Sequence, residues 1–433
     1  MAQFMTQTNV GVCLSNLDIL GASFGITDSG ILSWFLAGYS LTVGTFILIF
    51  GRCGDFCGDF FGYRRIFLSG FLWIAIWSLV AGLGVYSNHI LFIFARVLQG
   101  IGAAMVLPNG LAILGATYPP GKKKAMVFAL FGAVAPNSAV LGAVFSALFS
   151  QLAWWPWTFW TQALVAIACA GLGVMVVPSI HHDSNPPLNT WAEIFKALDA
   201  LGGICGVGGL VLINIALNQA PVAGWSTPYV YILLIVGILL IIGFFVVEFR
   251  FAEHPLIPFH AFSRDVSSVL GCVACGWGAF GTWIWYFWRF QIQFRNISPL
   301  LGSAEFVPAA PVGIVACFVT GLLIARIRPG WIMVMSMTAI TLGNIFTAIA
   351  PVVQTYWALT FVCLLVIPWG MDMSFPAATL MLSDSVERKH QGIAASLVTT
   401  VVNYSISLSL GFVGTVEVHV NNGGKTPEDV LKG

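Results

Sequence analysis

The chain has 433 residues, 58% of them hydrophobic and 8% charged, with 18 basic against 17 acidic side chains and a formal net charge of +1. Soluble domains are roughly a quarter charged, and 16 Trp with 34 Phe are more than a water-facing surface can hide. This excludes a soluble enzyme, a nucleic-acid binder and a disordered chain, and leaves an all-α polytopic membrane protein.

A helix needs about 20 apolar residues to cross a bilayer, and helices satisfy their own backbone there. In chain order the apolar runs fall at roughly 2–21, 31–51, 66–85, 90–113, 125–149, 158–178, 199–219, 228–248, 267–288, 305–325, 331–350, 357–381 and 391–416, about thirteen spans. The first is the least apolar. Long continuous runs, in place of two-residue alternation, exclude a β-barrel. No basic residue precedes Arg52, so a signal peptide is not expected. An odd count leaves the polar tail after Glu417 on the outer side, with a further helix expected to be missing.

The basic residues fix the orientation. If loops alternate sides, one side holds Arg52, Arg64, Arg65, Lys122, Lys123, Lys124, Lys196, Arg250, Arg264, Arg326, Arg328, Arg388 and Lys389. The other holds Arg295, Lys425 and Lys432. The positive-inside rule makes the first side, and the N-terminus, cytoplasmic. The Pro- and Asn-rich stretch from His181 to Thr190 reads as a linker. The expected organisation is a six-helix bundle over 1–178, a linker over 179–198, an inserted helix pair over 199–250, and a C-terminal bundle over 251–433. Transporters are often built from repeated bundles with the site between them.

Several segments carry chemistry. The loop after the second span reads Gly51-Arg-Cys-Gly-Asp55, then Asp59-Phe-Phe-Gly62-Tyr-Arg64-Arg65. Glycine lets helix ends approach, and Asp at a helix N-terminus pairs with Arg. Such a charge clamp can latch two bundles in one state and release them in another. Cys53-Gly-Asp-Phe56 is repeated at once as Cys57-Gly-Asp-Phe60, inserting about one helical turn, so either Asp55 or Asp59 can take the clamp role. The fourth span holds Arg96-Val-Leu-Gln99-Gly100, and an Arg inside a span is costly and usually functional unless it snorkels to the headgroups. The fifth holds a Gly/Ala face from Gly132 to Ala143, which also suits plain helix packing. The twelfth holds Pro368-Trp-Gly-Met-Asp372, with Pro376 beyond. A carboxylate about fifteen residues into a span is expensive while charged, so Asp372 is the leading proton carrier, the alternative being a helix cap. Trp34, Tyr39, Gln99, Asn403 and Tyr404 either line a cavity or join helices. Arg289, after Trp285 and Trp288, reads as an interfacial anchor.

No His clusters with carboxylates at metal spacing, and there is no phosphate-binding loop with Lys. No enzyme, cofactor or metal is expected, and transport would run on an ion gradient.

Together these motifs resemble the fourteen-helix drug:H+ antiporters of the major facilitator superfamily, most closely the fungal aminotriazole-resistance-like efflux pumps. The resemblance rests on Ser33 to Arg65, Arg96 to Pro108, Gly209 to Asn214, Asn218 to Pro221, Pro255 to Pro258, Ser298 to Leu301, and Trp369 through Glu417. It departs at Ala143, where the antiporters carry Pro, and at the repeated Cys-Gly-Asp-Phe. It implies the major facilitator fold, with fourteen helices where about thirteen are counted here. It implies proton-coupled export of drugs, toxins or secondary metabolites by a monomer in the plasma membrane, whose partners are the small-molecule substrate, protons and the bilayer. It also implies proton coupling at Arg96. The alternatives are uptake by H+ symport, and a non-transporting sensor or inactive truncated form.

Overall fold

A chain this apolar has to satisfy its backbone locally, and the computed structural model is helical wherever the apolar runs were expected. It describes residues 1–55, 62–119, 122–178, 195–196, 198–251, 256, 264–324, 326–385 and 391–421. The helices are α1 Ala2–Leu14, α2 Leu17–Phe24, α3 Ser29–Asp55, α4 Tyr63–Leu83, α5 His89–Thr117, α6 Lys122–Leu152, α7 Pro156–Val176, α8 Ala200–Ala223 and α9 Pro228–Arg250. Then come α10 Arg264–Arg289, α11 Pro299–Phe306, α12 Ala309–Ile324, α13 Pro329–Ala348, α14 Leu359–Ser385 and α15 Gln391–Val420.

Among the described residues, 12 helical segments are long and apolar enough to cross a membrane. They match every expected run but the first. That run is two helices of 13 and 8 residues. The cause is local. Ser15 Oγ donates to Ala143 O at 2.8 Å and Asn16 Nδ2 to Ser150 Oγ at 3.1 Å, both on α6. Ser and Asn bond readily outside the helical ladder, and here the break turns their side chains onto a neighbour. Two other boundaries move. α10 runs on through a π-turn at Phe290–Phe294, and the tenth span begins at Pro299 and is interrupted before Ala309 at Pro308, which has no N–H to donate.

In the first part of the chain α4 packs on α5 and α7, α3 on α5, and α1 on α6. In the last part α13 and α12 pack on α14, and α10 on α15. The two parts meet where α3 lies along α15 and α6 along α11 and α12. The hairpin α8–α9 lays α8 against both α15 and α3.

Helix alternation gathers Arg52, Arg64, Arg65, Arg250, Arg326 and Arg328 at one end, here the basic end. The opposite end holds Asp18, Arg289, Arg295 and Glu417. The core differs between the ends. Toward the opposite end one buried cluster runs through both parts, from Leu17, Phe35 and Leu36 to Trp283, Trp285, Trp288 and Phe306. Toward the basic end the buried side chains divide, with Phe67, Ile74 and Ile113 in one part and Val269, Leu382 and Val398 in the other. The molecule is therefore sealed by apolar packing at the end away from its basic residues.

Candidate functional site

Arg96 lies on α5 with no exposed surface. Its Nε donates to Phe35 O at 3.1 Å and its Nη2 to Asn9 O at 2.7 Å. Nη1 donates to Gln99 Oε1, whose amide in turn donates to Ser78 Oγ at 2.6 Å. The guanidinium lies 4.8 Å from the centre of the Tyr39 ring, a cation–π distance, and the Tyr39 hydroxyl donates to Thr6 O at 3.0 Å. Three of the expected residues, Arg96, Tyr39 and Gln99, are thus one assembly. Every acceptor that holds the cation is neutral.

Asp372 sits apart from that assembly, in the middle of α14, facing the contact between the two parts of the chain. A Cβ on Gly313 of α12 would stand 2.6 Å from Asp372 Oδ2 and 2.7 Å from Pro136 Cγ of α6. The glycine lets the Asp372 carboxylate and the Pro136 ring meet against the α12 backbone. The Cys317 thiol is its polar neighbour. Asp372 Oδ2 is buried and, among the described residues, has no hydrogen-bond partner. Arg96 and Asp372 are not in contact.

The remaining cavity candidates separate. Trp34 is buried on α3, and among the described residues its indole N–H has no partner. Asn403 Nδ2 donates to Thr399 O on its own helix at 3.0 Å. Tyr404 donates to Leu210 O at 3.0 Å and joins α15 to α8. Of the loop residues, a Cβ on Gly51 would come within 3.2 Å of Ser396 Oγ and 3.4 Å of Pro108 Cβ, so α3, α5 and α15 converge there. Gly62 precedes α4 with φ +120°, a value that favours glycine. Arg64 Nη2 donates to Val174 O at 2.6 Å at the end of α7, and Arg65 is exposed. Asp55 ends α3, and its carboxylate, like the whole of Asp59, lies outside the described residues, as does the side chain of Gln391.

A polar layer at the opposite end escaped the sequence reading. Arg289 is not an isolated anchor. It pairs with Glu417 at 2.8 Å, with the side chains only 12% and 8% exposed. Tyr286 donates to Glu417 Oε2 at 2.8 Å and Ser29 Oγ to Oε1 at 3.4 Å. Gln293, on the π-turn, donates to Asp18 Oδ1 at 2.8 Å, and Leu300 N to Gln151 Oε1 at 2.8 Å. These last three contacts cross between the two parts. Beneath them a cavity of only about 10 Å³ is lined by Leu17, Asp18, Leu36, Trp285 and Arg289, room for about one water. Nearby, Tyr356 donates to Glu305 O at 2.7 Å, and burial, then the Glu305 charge, pushes its phenol up to about 12. The only sequence signal for this layer was an Arg at a span edge, because its acid follows 128 residues later.

Among the described residues no cluster of His, Cys, Asp or Glu could hold a metal.

The sequence model of the Major Facilitator Superfamily matches residues 1–410. The chain is 52% identical, over all of itself and 82% of the relative, to the low affinity ammonium transporter of Saccharomyces cerevisiae. It is 45% identical, with the same coverages, to the efflux pump terJ of Aspergillus terreus. It is 35% identical to the aminotriazole resistance protein of Saccharomyces cerevisiae, over all of itself and 78% of the relative. Among solved structures, the peptide transporter POT in complex with sulfate aligns with a TM-score of 0.67 at 16% identity, covering 99% of this chain and 88% of that one. At that identity the likeness shows the fold.

Proposed function

The chain belongs to the major facilitator superfamily, and on that footing we propose that this membrane transporter is a proton-coupled exporter of small organic molecules working by alternating access. Residues 1–178 and 251–433 act as two rocking bundles, with the pair 199–250 between them. The N-terminus is cytoplasmic and the membrane is the plasma membrane.

The observation that carries this reading is Asp372. A carboxylate with a sealed, unpartnered oxygen is tolerated at mid-membrane if it takes up and gives off a proton. Its position against Pro136 and Gly313 lets the rocking of α6 past α12 change what it meets. Arg96, held by neutral acceptors, is the charged counterpart in the first bundle, and Tyr39 and Gln99 position it. Asp55 or Asp59, with Arg64 and Arg65, forms the latch at the basic end. Relatives described as efflux pumps support the export direction.

A second reading, uptake by H+ symport, is favoured by the relative described as an ammonium transporter. A lone carboxylate between bundles suits a small cation as well as a proton. The test is accumulation of a panel of toxic and fluorescent compounds, and of methylammonium, in cells expressing the chain or Asp372→Asn. Export predicts lower accumulation that a protonophore and the variant both abolish. Higher methylammonium uptake, lost in the same two ways, would replace export with symport. An Asp372→Asn chain that still responds to the protonophore would end the coupling role.

A further inference from the structure

The transport cycle above leaves α8 without a task, yet α8 is the helix that touches both sides of the moving contact. It carries two asparagines, Asn214 and Asn218, that are almost wholly buried. Amides inside a span are kept where neighbouring helices satisfy them. Their side-chain bonds beyond α8 run to α15. Asn218 Nδ2 donates to Ser407 O at 3.2 Å as well as to Asn214 Oδ1 at 3.0 Å. Ser407 Oγ lies 3.1 Å from Asn214 Oδ1. Two turns toward the basic end from Asn218, Tyr404 donates to Leu210 O. At Gly411 the backbones touch, since a Cβ there would stand 2.7 Å from Leu217 C.

The contact of α8 with α3 is of another kind. Among the described residues it includes apolar side chains on glycines, Val222 against Gly30 and Ile49 against Gly203. Such contacts have no direction and can slide, whereas hydrogen bonds in an apolar medium are costly to break.

Ser407 joins the two faces. Its hydroxyl has one proton and two acceptors in reach, Ala37 O of α3 at 2.9 Å and Asn214 Oδ1 of α8 at 3.1 Å. If α3 moves away, the hydroxyl proton still has Asn214 Oδ1, so the movement orphans no further donor, Asn214 Nδ2 already being without a partner among the described residues.

We infer that α8 is a strap fixed to the C-terminal bundle through α15, that α3 slides along it as the bundles rock, and that Ser407 transfers its hydrogen bond from Ala37 to Asn214 as the contact opens. This rests on the alternating-access reading. The inserted pair then keeps the opening between α3 and α15 closed to lipid while the bundles part.

Adjacent residues of α8 provide the test. A Cβ on Gly414 of α15 would stand 3.4 Å from Pro221 Cβ, and a Cβ on Gly30 of α3 would stand 3.7 Å from Val222 Cβ. Both are close to disulfide geometry, about 3.5–4.5 Å. One chain carries Pro221→Cys with Gly414→Cys, the other Val222→Cys with Gly30→Cys. Each also carries Leu36→Cys in the sealed end, read by labelling of intact cells with a membrane-impermeant maleimide. The labelling of the same paired-cysteine chain without Leu36→Cys is subtracted in each state, and each protein is measured oxidised and then reduced. The expected result is that the Pro221–Gly414 bridge leaves Leu36→Cys labelling unchanged, while the Val222–Gly30 bridge lowers it to background until reduced. The reverse pattern would put α8 on the first bundle and overturn the strap. Loss with both bridges, or with neither, would overturn it too. A Leu36→Cys that never labels in the reduced proteins would instead sink the rocking of the bundles, and the strap with it.

Discussion

Removing either member of the Arg289–Glu417 pair should cost at least as much as removing both. The pair is 2.8 Å apart with little exposure, so its charge centres lie about 4 Å apart, worth about 4 kcal/mol at an effective dielectric near 20. Glu417→Gln keeps an acceptor for Tyr286 and Ser29 but leaves the guanidinium with Gln293 Oε1 at 3.2 Å and the Trp285 ring at 5.9 Å. Orphaning one charge of a buried pair costs about 3–5 kcal/mol, and partial exposure puts this site at the lower end, about 3 kcal/mol. Arg289→Gln should cost about the same by orphaning the acid. The double variant loses the same pair but leaves no charge behind, so it should cost no more than either single, at most about 3 kcal/mol against about 6 kcal/mol for a sum, giving a coupling of at least about 3 kcal/mol. The assay is equilibrium unfolding of the four proteins in mixed micelles. Costs that add to within about 0.5 kcal/mol would mean that the two residues are independent, and the polar layer would lose its central tie.

Three further outcomes are expected. Gly313→Ala puts a methyl 2.6 Å from Asp372 Oδ2 and 2.7 Å from Pro136, so α12 must shift. Overpacking costs about 1–3 kcal/mol, and transport should fall on the order of tenfold at normal surface level, against wild-type transport if the helices do not close on that residue. Tyr356 has a folded-state pKa of about 12 against an ordinary 10.0. The native state therefore holds more protons in that window, and its stability should decline as pH rises from 10 toward 12. Thermal unfolding across that range should show a steeper decline than in Tyr356→Phe, and equal slopes would contradict the raised pKa. Asp199 caps α8 by accepting from Gly202 N at 3.2 Å, at φ +45°. Asp199→Ala should lose about 1–2 kcal/mol in an unfolding titration, while Asp199→Gly, free of the strain, loses only a few tenths. Equal losses would show that relief of the strain at φ +45° does not offset the lost cap bond.

Much of the fold was legible because one rule governs it, that a long apolar run in a bilayer has to be a helix. Arg96 and Asp372 stood out for the same reason, as charges that an apolar segment does not carry idly. What stayed hidden depends on partners far away in sequence. Ser15 and Asn16 break the first run because Ala143 and Ser150 lie opposite them, and no local pattern announces that. Arg289 looked like an anchor because its acid, Glu417, sits near the end of another helix, 128 residues on in the chain. Tyr404 and Asn403 matched both cavity lining and helix joining, and only the partner, Leu210 O for Tyr404, separates the two.

The central claim is that Asp372 couples a proton to substrate movement, and proton flux in proteoliposomes tests it most directly. Purified wild-type chain and Asp372→Asn would be reconstituted with a pH-sensitive dye inside, and candidate compounds added outside under no imposed gradient. The account predicts that a transported compound drives protons out through the wild-type chain, antiport run in reverse, and that Asp372→Asn binds the same compound but moves no protons. A compound that enters through the wild-type chain with no proton movement, or through Asp372→Asn with undiminished proton movement, would contradict it.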